Sequence, residues 1–517
     1  MSRRAALWGL LAANAVALGC AAPPRDGVWL LPAAGPDDVP PPTPLALEPT
    51  ALGVPAAQAP LPWGPGQPLQ LEHVLEAVET SYPLLTVAEW KRAVAQAQEL
   101  QALGAFDLEL SGKAQWNVEG FYENHTAGVG LEQATGLYGL RLRGGYRVGA
   151  GDFDLTWDGK RRINHGGEFS AGASLPLLRG GAIDPARRDL RVAEVAREVA
   201  AASLAERRLT YAQLAAAVYF EWVAAGRRRR IARALRQLAD DRQRGLAEGF
   251  ARGAIAEIEV LDNQRLVAER EALEVKARRE LEKASLALSL FLRDPGGRPL
   301  LPDASALPGG LPPGPAPTAA LLEEDVERAL RARPDVQVAE HLLAQAQVVL
   351  DEAENQLLPT LDLTVLASQD LDRRRPSPTK GEFELVAGLE FGFPLQNRKA
   401  RGKRAEAEAK LEVLRTELRF LRDQVTVEVR DAFSALQAAH EREARVRVAA
   451  ELAERVSQAE RDRFELGDST VLRLNLREAA AAQAELKRVE ALRDYWIAVG
   501  AYATALGATP RGPGLLP

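Results

Sequence analysis

The chain contains one cysteine, Cys20, in 517 residues, so it cannot form an internal disulfide or a cysteine metal cluster. Its five histidines fall in different predicted elements without the spacing of metal ligands, which predicts no metal site. Aromatic residues are scarce at 6%, and no run beyond the N-terminus reaches the roughly eighteen apolar residues of a spanning helix. These shortages argue against a compact enzyme, a metalloprotein and a membrane role based on helices.

Charge of one sign is also lacking, because 65 basic and 71 acidic residues are interspersed and the formal net charge is only -6. No nucleic-acid partner is therefore expected, and the run Arg227 to Arg230 is interpreted as a solvated helix face. The sequence has no G-x-S-x-G motif and no phosphate-binding glycine loop, so we predict neither catalysis nor a cofactor. Ala, Leu, Arg and Glu are abundant instead, a composition typical of long helices.

The N-terminus has the features of an export signal. Arg3 and Arg4 precede an apolar segment that ends at Gly19 and Cys20. A lone cysteine at this point resembles a bacterial lipobox, so we predict that Cys20 is lipidated; the alternative is an ordinary signal peptide cut just after this point. Residues 21–68 are rich in Pro, Ala and Gly without periodicity, which predicts an extended tether behind the anchor.

Two glycine-containing segments interrupt the helical pattern, one in each half of the chain. Phe250 precedes Gly253 by three residues, Phe464 precedes Gly467 by three, and a new apolar-periodic run follows each glycine. Glycine just past a helix end is the usual left-handed cap, and Thr470 is placed to cap the next helix. Each segment therefore predicts the tip of an antiparallel helical hairpin, which is either a working contact or only a turn. The glycines are 214 positions apart (467 minus 253), which indicates a tandem duplication.

Several other segments alternate with period two. Apolar and polar residues alternate over 106–118, 138–148 and 153–157 in the first half, and over 383–393 in the second. Such alternation is typical of membrane barrel strands, which have polar side chains inside and apolar ones outside. A soluble half-buried sheet gives the same pattern, so the strands alone leave both alternatives open.

The domain organisation follows from these boundaries. Strand starts in the two halves differ by 255 positions (361 minus 106) and the tips by 214, so the first β region is longer by 41 residues (255 minus 214). We assign this surplus to residues 138–157. The chain is predicted to begin with a signal peptide over 1–20 and a tether over 21–68. The first repeat covers 69–300, with a β region at 106–178 and a helical hairpin at 184–293, and a linker follows over 301–320. The second repeat covers 321–508, with a β region at 359–395 and a hairpin at 400–506, and a tail covers 509–517.

Taken together and in order, these features resemble the outer-membrane efflux factor family, the TolC type. The resemblance covers about 69–508. The local motifs that carry it are the two glycine turns and the segments Leu175 to Gly180, Leu357 to Leu363 and Glu428 to Phe433. None of these motifs is specific by itself. Their duplicated order makes the resemblance strong.

The resemblance implies a mainly α-helical fold with membrane β-strands. It implies a homotrimer in which each chain supplies strands to one shared outer-membrane β-barrel and long helices to a periplasmic α-helical barrel. Two strand pairs cannot close a barrel alone and open edges are not tolerated in lipid, which agrees with sharing. The tips would meet a periplasmic adaptor protein fed by an inner-membrane pump, which makes the adaptor-contacting candidates Phe250, Gly253, Phe464, Gly467 and Thr470.

The resemblance also marks candidates for an aperture at the periplasmic end. In the family, acidic residues follow the second-tip glycine by six and nine positions, where this chain has Arg473 and Leu476. The matching positions of the first tip are Glu259 and Asp262, which are acidic. The gate candidates are therefore Glu259, Asp262, Asp468 and Arg473, and a mixed Glu259/Arg473 constriction is one possible arrangement.

The sequence therefore predicts a passive exit duct for small molecules in a tripartite efflux system. We expect this duct in the cell outer membrane, in contact with its lipid, with a periplasmic extension, a lipid anchor and no enzymatic activity. One alternative is the outlet of a type I protein secretion system, which shares the fold. Another is a periplasmic coiled-coil adaptor or scaffold without a membrane barrel.

Overall fold

A computed structural model describes residues 67–120, 123–151, 166–294, 296–318, 321–371 and 383–510. Its helices are α1 Leu71–Ser81, α2 Pro83–Leu103, α3 Pro185–Ala251, α4 Glu257–Ser289, α5 Leu322–Ala332, α6 Pro334–Asn355, α7 Arg398–Glu465 and α8 Val471–Ala505. Its strands are β1 Leu108–Asn117, β2 Asn124–Ala134, β3 Arg141–Gly151, β4 Glu168–Pro176, β5 Thr360–Asp370 and β6 Phe383–Gly392. Cys20, most of the predicted tether and the predicted strand at 153–157 lie outside the described residues.

Two very long helices dominate the chain. Helix α3 has 67 residues and begins at a strong cap, where the Asp184 carboxylate accepts the Arg187 N–H (2.8 Å) and Pro185 occupies the first helical position. Helix α7 has 68 residues, and each of the two is about 100 Å long at 1.5 Å per residue. Helix α3 packs with α4, and α7 with α8, as antiparallel hairpins. Because α3 also packs against α8, the two hairpins contact each other directly.

Apolar residues at heptad spacing form a buried seam on α7. Leu411, Leu418 and Val425, spaced by seven residues, are buried where α7 packs on α5 and α6. Among the helices that the structure describes, none combines the length and the hydropathy that a membrane crossing requires.

An aromatic core lies between α3 and α8. Trp222 of α3 and Trp496 of α8 are fully buried, and the Trp496 indole N–H donates to the Pro312 carbonyl (2.9 Å). The Tyr495 hydroxyl donates to the Pro315 carbonyl (2.9 Å), and burial raises the pKa of Tyr495 to about 12. The Pro-rich linker between the two repeats is therefore packed onto α8 by specific contacts.

The six strands form one antiparallel sheet in sequential order, from β1 to β6. Strand β4 of the first half pairs with β5 of the second, so the sheet also joins the two repeats. One row of lateral partners contains only apolar residues and glycine: Leu110, Leu131, Gly144, Ala171, Ala367 and Leu385. The next row lies on the opposite face and contains only small or polar residues: Ser111, Gly130, Gly145, Ser170, Ser368 and Glu384. The sheet thus has one mainly apolar and one mainly polar face, with Leu366 and Val386 as apolar residues on the polar face.

The surplus of the first β region is a second hairpin. Among the described residues, four strands precede α3 in the first half, and two precede α7 in the second half. Strand β2 was not predicted, because Gly128 and Gly130 on its polar side weaken the alternation that marks a strand. Strand β3 begins at Arg141 and not at Tyr138, which has a φ of 50° and lies in the β2–β3 turn.

Candidate functional site

The first helical tip closes with a Schellman motif. The Gly253 N–H donates to the Phe250 carbonyl (2.8 Å), and the Ala254 N–H donates to the Gly249 carbonyl (2.9 Å). Gly253 has a φ of 72°, a left-handed conformation that glycine adopts at little cost. Ile255 folds back over Gly249, where an added Cβ would lie 2.5 Å from its Cδ1. The predicted turn is thus a compact cap at the end of α3.

The second tip repeats this cap in detail. The Gly467 N–H donates to the Phe464 carbonyl (3.0 Å), and the Asp468 N–H donates to the Arg463 carbonyl (2.8 Å). Gly467 has a φ of 79°, close to that of the first tip. Equivalent hydrogen bonds at equivalent positions agree with the duplication inferred from the sequence.

Side chains brace the second tip more than the first. The Arg463 guanidinium pairs with the Asp468 carboxylate (3.0 Å), and the Ser469 hydroxyl donates to the Glu460 carboxylate. The carboxylate of Asp468, a gate candidate, therefore forms its ion pair within its own tip. Around Gly467 no heavy atom of the described residues lies within 4 Å of an added Cβ, so the outer surface of this turn is open.

Apolar side chains around both tips are exposed. Leu466, next to the second glycine, is 84% exposed, although solvent disfavours such a large apolar surface. The other exposed members are Phe250, Ile258, Leu261, Leu472 and Leu476. Phe464, by contrast, is half-buried. This apolar surface is the type that contacts another protein.

The other gate candidates do not form one constriction within a single chain. The Asp262 carboxylate accepts from Arg265 on the same helix (2.9 Å). Glu259 and Arg473 are exposed, and the described residues of one chain show no contact between their side chains. The Thr470 hydroxyl accepts the Arg473 backbone N–H (3.3 Å), which makes it the predicted helix cap.

A buried charge cluster lies behind the tips and was not predicted. Glu478 of α8 is almost fully buried, and its carboxylate pairs with Arg242 of α3 (2.8 Å) and lies 3.7 Å from the guanidinium of Arg270 of α4. Arg242 also donates to the Asn475 side chain, and Arg270 to the Leu235 carbonyl (2.9 Å). Burial lowers the pKa of Arg270 more than the attraction of Glu478 raises it. The cluster links the first hairpin to the second.

The position of the cluster follows the duplication. Arg242 precedes Gly253 by eleven residues, and Glu478 follows Gly467 by eleven, which is about 16 Å of helix rise in each case. Two more ion pairs continue along α3 and α8 away from the tips, namely Arg227–Glu485 (3.1 Å) and Arg493–Glu221 (2.9 Å). The contact between the hairpins is therefore lined by charge pairs.

The sequence did contain a signal for the cluster. Glu478 lies four residues after the buried Leu474 and three before the buried Ala481, so it occupies a seam position of α8. Arg242 lies likewise between the buried Ala239 and Leu246 of α3. Charged residues at seam positions are costly unless they are paired, so their presence predicts partners on a neighbouring helix.

The second repeat matches a known family. Residues 326–508, from α5 to the end of α8, match the family model described as outer membrane efflux protein. No curated protein sequence gives a match. The proteins of that family are outer-membrane channels and not enzymes.

Solved outer-membrane channels share the fold over both repeats. The MtrE channel of Neisseria gonorrhoeae, in its open state, has a TM-score of 0.61 at 16% identity, with 86% of this chain and 91% of that chain covered. The CmeC channel of Campylobacter jejuni gives 0.57 at 14% identity, with 90% and 93% covered. VceC of Vibrio cholerae gives 0.57 at 17% identity, with 85% and 97% covered. The fold is therefore that of an outer-membrane channel protein with a periplasmic helical extension.

Proposed function

We propose that the chain is the exit duct of a tripartite efflux system, through which small molecules pass passively out of the cell. One observation carries the proposal. A sheet with one apolar and one polar face is connected to helices about 100 Å long that end in two capped tips. Such a chain fits a lipid bilayer at one end and a protein partner at the other.

The sheet fits a lipid environment on one face only. Leu385, Leu389 and Phe391 of β6 are all more than 60% exposed, whereas Glu384 and Glu390 alternate with them on the other face. Apolar side chains outside and polar ones inside are the pattern of a strand in the wall of a membrane channel. Since one such sheet has open edges, we propose that three chains share one β-barrel in outer-membrane lipid.

The tips fit a periplasmic adaptor. Their exposed apolar side chains and open glycines offer a surface on which the ends of other helices can pack closely. We assign Phe250, Gly253, Phe464, Gly467 and Thr470 to this contact, with the exposed Leu466 as an addition. The adaptor would connect the duct to an inner-membrane pump, which supplies the energy.

Deletion of the gene in its own bacterium tests the proposal. Efflux predicts that the deleted strain accumulates a fluorescent cationic dye, that its resistance to small toxic molecules falls, and that the intact gene restores both. Unchanged dye accumulation with loss of proteins from the culture medium would overturn the proposal in favour of a protein secretion outlet. Unchanged dye accumulation and unchanged secretion would overturn both functions.

A further inference from the structure

The first β region has two strands more than the repeat plan provides. In the part of the chain that the structure describes, β1–β2 and β3–β4 precede α3 in the first half, and β5–β6 precedes α7 in the second half. The additional strands are not a separate lobe, because every strand from β1 to β6 pairs with its neighbour over at least seven residues. The apolar row and the polar row both run unbroken through them. The additional strands therefore have the apolar and polar faces expected of strands in a barrel wall.

The turn between β2 and β3 is built into the body of the chain. An added Cβ at Gly139 would lie 2.6 Å from the Gly180 carbonyl oxygen and 3.3 Å from the guanidinium of Arg187. The buried Arg187 also donates to the Gly181 carbonyl (2.8 Å) at the start of α3. The extra hairpin is therefore fixed at the end of the sheet near the helices, which a loose extracellular flap would not be.

The two edges of the sheet match each other. Among the described strands, β1 has only β2 as a neighbour and β6 has only β5, and both edge strands have ten residues. About half of the backbone N–H and C=O groups of an edge strand point away from its single neighbour, and lipid cannot satisfy them. Strand β6 brings Glu384 and Glu390 to the polar face, and β1 brings Lys113 together with Glu109.

The number of strands permits closure by identical copies. Because all neighbours are antiparallel and six is even, β6 runs opposite to β1, so β6 of one copy can pair antiparallel with β1 of the next. The period of two keeps apolar side chains outside across this junction. An odd number of strands would bring parallel strands together there.

We propose that β6 of one chain pairs with β1 of a neighbouring copy, and that three copies close a barrel of 18 strands (three times six). This inference rests on the proposed trimeric duct and adds the number of strands in its barrel and the strands that pair between chains. The repeat plan alone, with four strands in each copy, would give 12 strands. Since barrel diameter grows roughly linearly with strand number, the wall is about 1.5 times wider, and barrels of about 16–18 strands leave an aqueous channel.

Cysteine cross-linking in the full-length protein tests the junction. Cysteines on the polar face of β1 (at Glu109, Ser111, Lys113 or Gln115) are combined one by one with cysteines on the polar face of β6 (at Glu384, Val386, Gly388 or Glu390). Opposed residues of paired strands lie about 5 Å apart, which is within disulfide range, so at least one combination should give linked dimers and trimers on a denaturing gel. The parent chain and the single-cysteine variants control for links through Cys20.

Cysteines on β3 test the alternative in which the additional hairpin lies outside the barrel. If the β1–β2 hairpin is the additional one and stays outside the barrel, then β3 is the wall strand that faces β6 of the next copy. Cysteines at Arg141, Arg143, Gly145 or Arg147 would then link to β6, whereas our proposal predicts no link between chains from β3. Links from β3, or no links from either strand, would overturn the 18-strand wall.

Electron cryomicroscopy of the trimer in lipid nanodiscs gives an independent count. We expect 18 strands in the wall, and 12 would overturn the inference. Dye accumulation measured on the same variants separates the two proposals. Twelve strands with normal efflux would leave the proposed duct in place, whereas a chain that forms neither trimers nor a membrane-inserted species would refute the duct itself.

Discussion

At the scale of single residues, the most unusual group is the buried carboxylate of Glu478. It faces two guanidiniums, Arg242 and Arg270, and it is the most deeply buried carboxylate among the charge pairs that line the contact of the two hairpins. A buried charge is tolerated only with its partners, because its loss leaves the opposite charges unpaired in a poorly solvated place. The cluster therefore makes the register between α3, α4 and α8 specific.

Glu478→Gln should loosen this contact. The substitution keeps the shape of the side chain but leaves two buried, positively charged guanidiniums without a negative partner. Breaking a buried pair costs about 3–5 kcal/mol. Hydrogen exchange of α8 amides measures the free energy of local opening, which we expect to fall by this amount near residue 478. The matched control is Glu485→Gln, whose pair with Arg227 is partly exposed and should contribute less than about 1 kcal/mol. Equal changes in the two variants would contradict a special role for the cluster.

Neighbouring residues of β6 should respond in opposite ways to the same substitution. Leu389 lies on the apolar face and Glu390 on the polar face of the sheet. Leu389→Arg should destabilise the folded trimer in lipid by about 2–4 kcal/mol if the site is near the middle of the bilayer, and Glu390→Arg should change it little. Urea unfolding of the protein in lipid vesicles measures both. A sheet outside the bilayer would show similar, small effects at the two positions.

At the scale of elements, each tip combines a backbone requirement with an exposed surface. The left-handed turn favours glycine for its conformation, and the open space around Gly467 leaves its outer surface free for a partner. Substitutions can separate these two properties, because Asn tolerates the left-handed region and Val does not.

Gly467→Asn should reduce efflux without reducing the amount of trimer. The added side chain projects into the open space and blocks close approach of the adaptor, and a loss of about 1.4 kcal/mol weakens binding about tenfold. Gly467→Val adds about 1–2 kcal/mol of backbone strain to the same obstruction, so its trimer level should fall further. Gly402→Val, at an open position within α7, is the control and should leave efflux unchanged. The measurement is drug susceptibility against trimer abundance, and normal efflux by an abundant Gly467→Asn trimer would show that the tip only shapes the hairpin.

Elements in which apolar residues recur with a regular helical or strand period were predictable from the sequence. Elements in which glycine interrupts that recurrence were not. The α7 seam and the glycine tips follow from local sequence, because apolar spacing and glycine caps are local properties. Strand β2 was missed, since Gly128 and Gly130 contribute no side chain to the alternation. The Glu478 cluster depends on three helices meeting, which no local window contains. Glu259 and Arg473 are exposed, and the described residues of one chain show no contact between them.

At the scale of the whole molecule, anchoring remains a prediction from the sequence. We expect a lipid on Cys20, and mass spectrometry of the mature N-terminus should find an acylated cysteine as its first residue. Cys20→Ser should abolish this modification and leave trimers intact, because one lipid anchor contributes little beside a shared barrel. An unmodified terminus at residue 21 or beyond would contradict the anchor.

Because the linker is packed onto α8, the two repeats should assemble even when they are made as separate polypeptides. The two repeats adhere through the β4–β5 pairing, the ion pairs between α3 and α8, and the contacts of Pro312 and Pro315 with α8. The peptide bond between the repeats therefore adds mainly effective concentration. Two genes, one for residues 1–318 and one for 319–517 behind its own export signal, should yield a functional duct made of six polypeptides. Co-purification of the two fragments as a complex of trimer size is the measurement, and fragments that stay apart would show that covalent continuity is required.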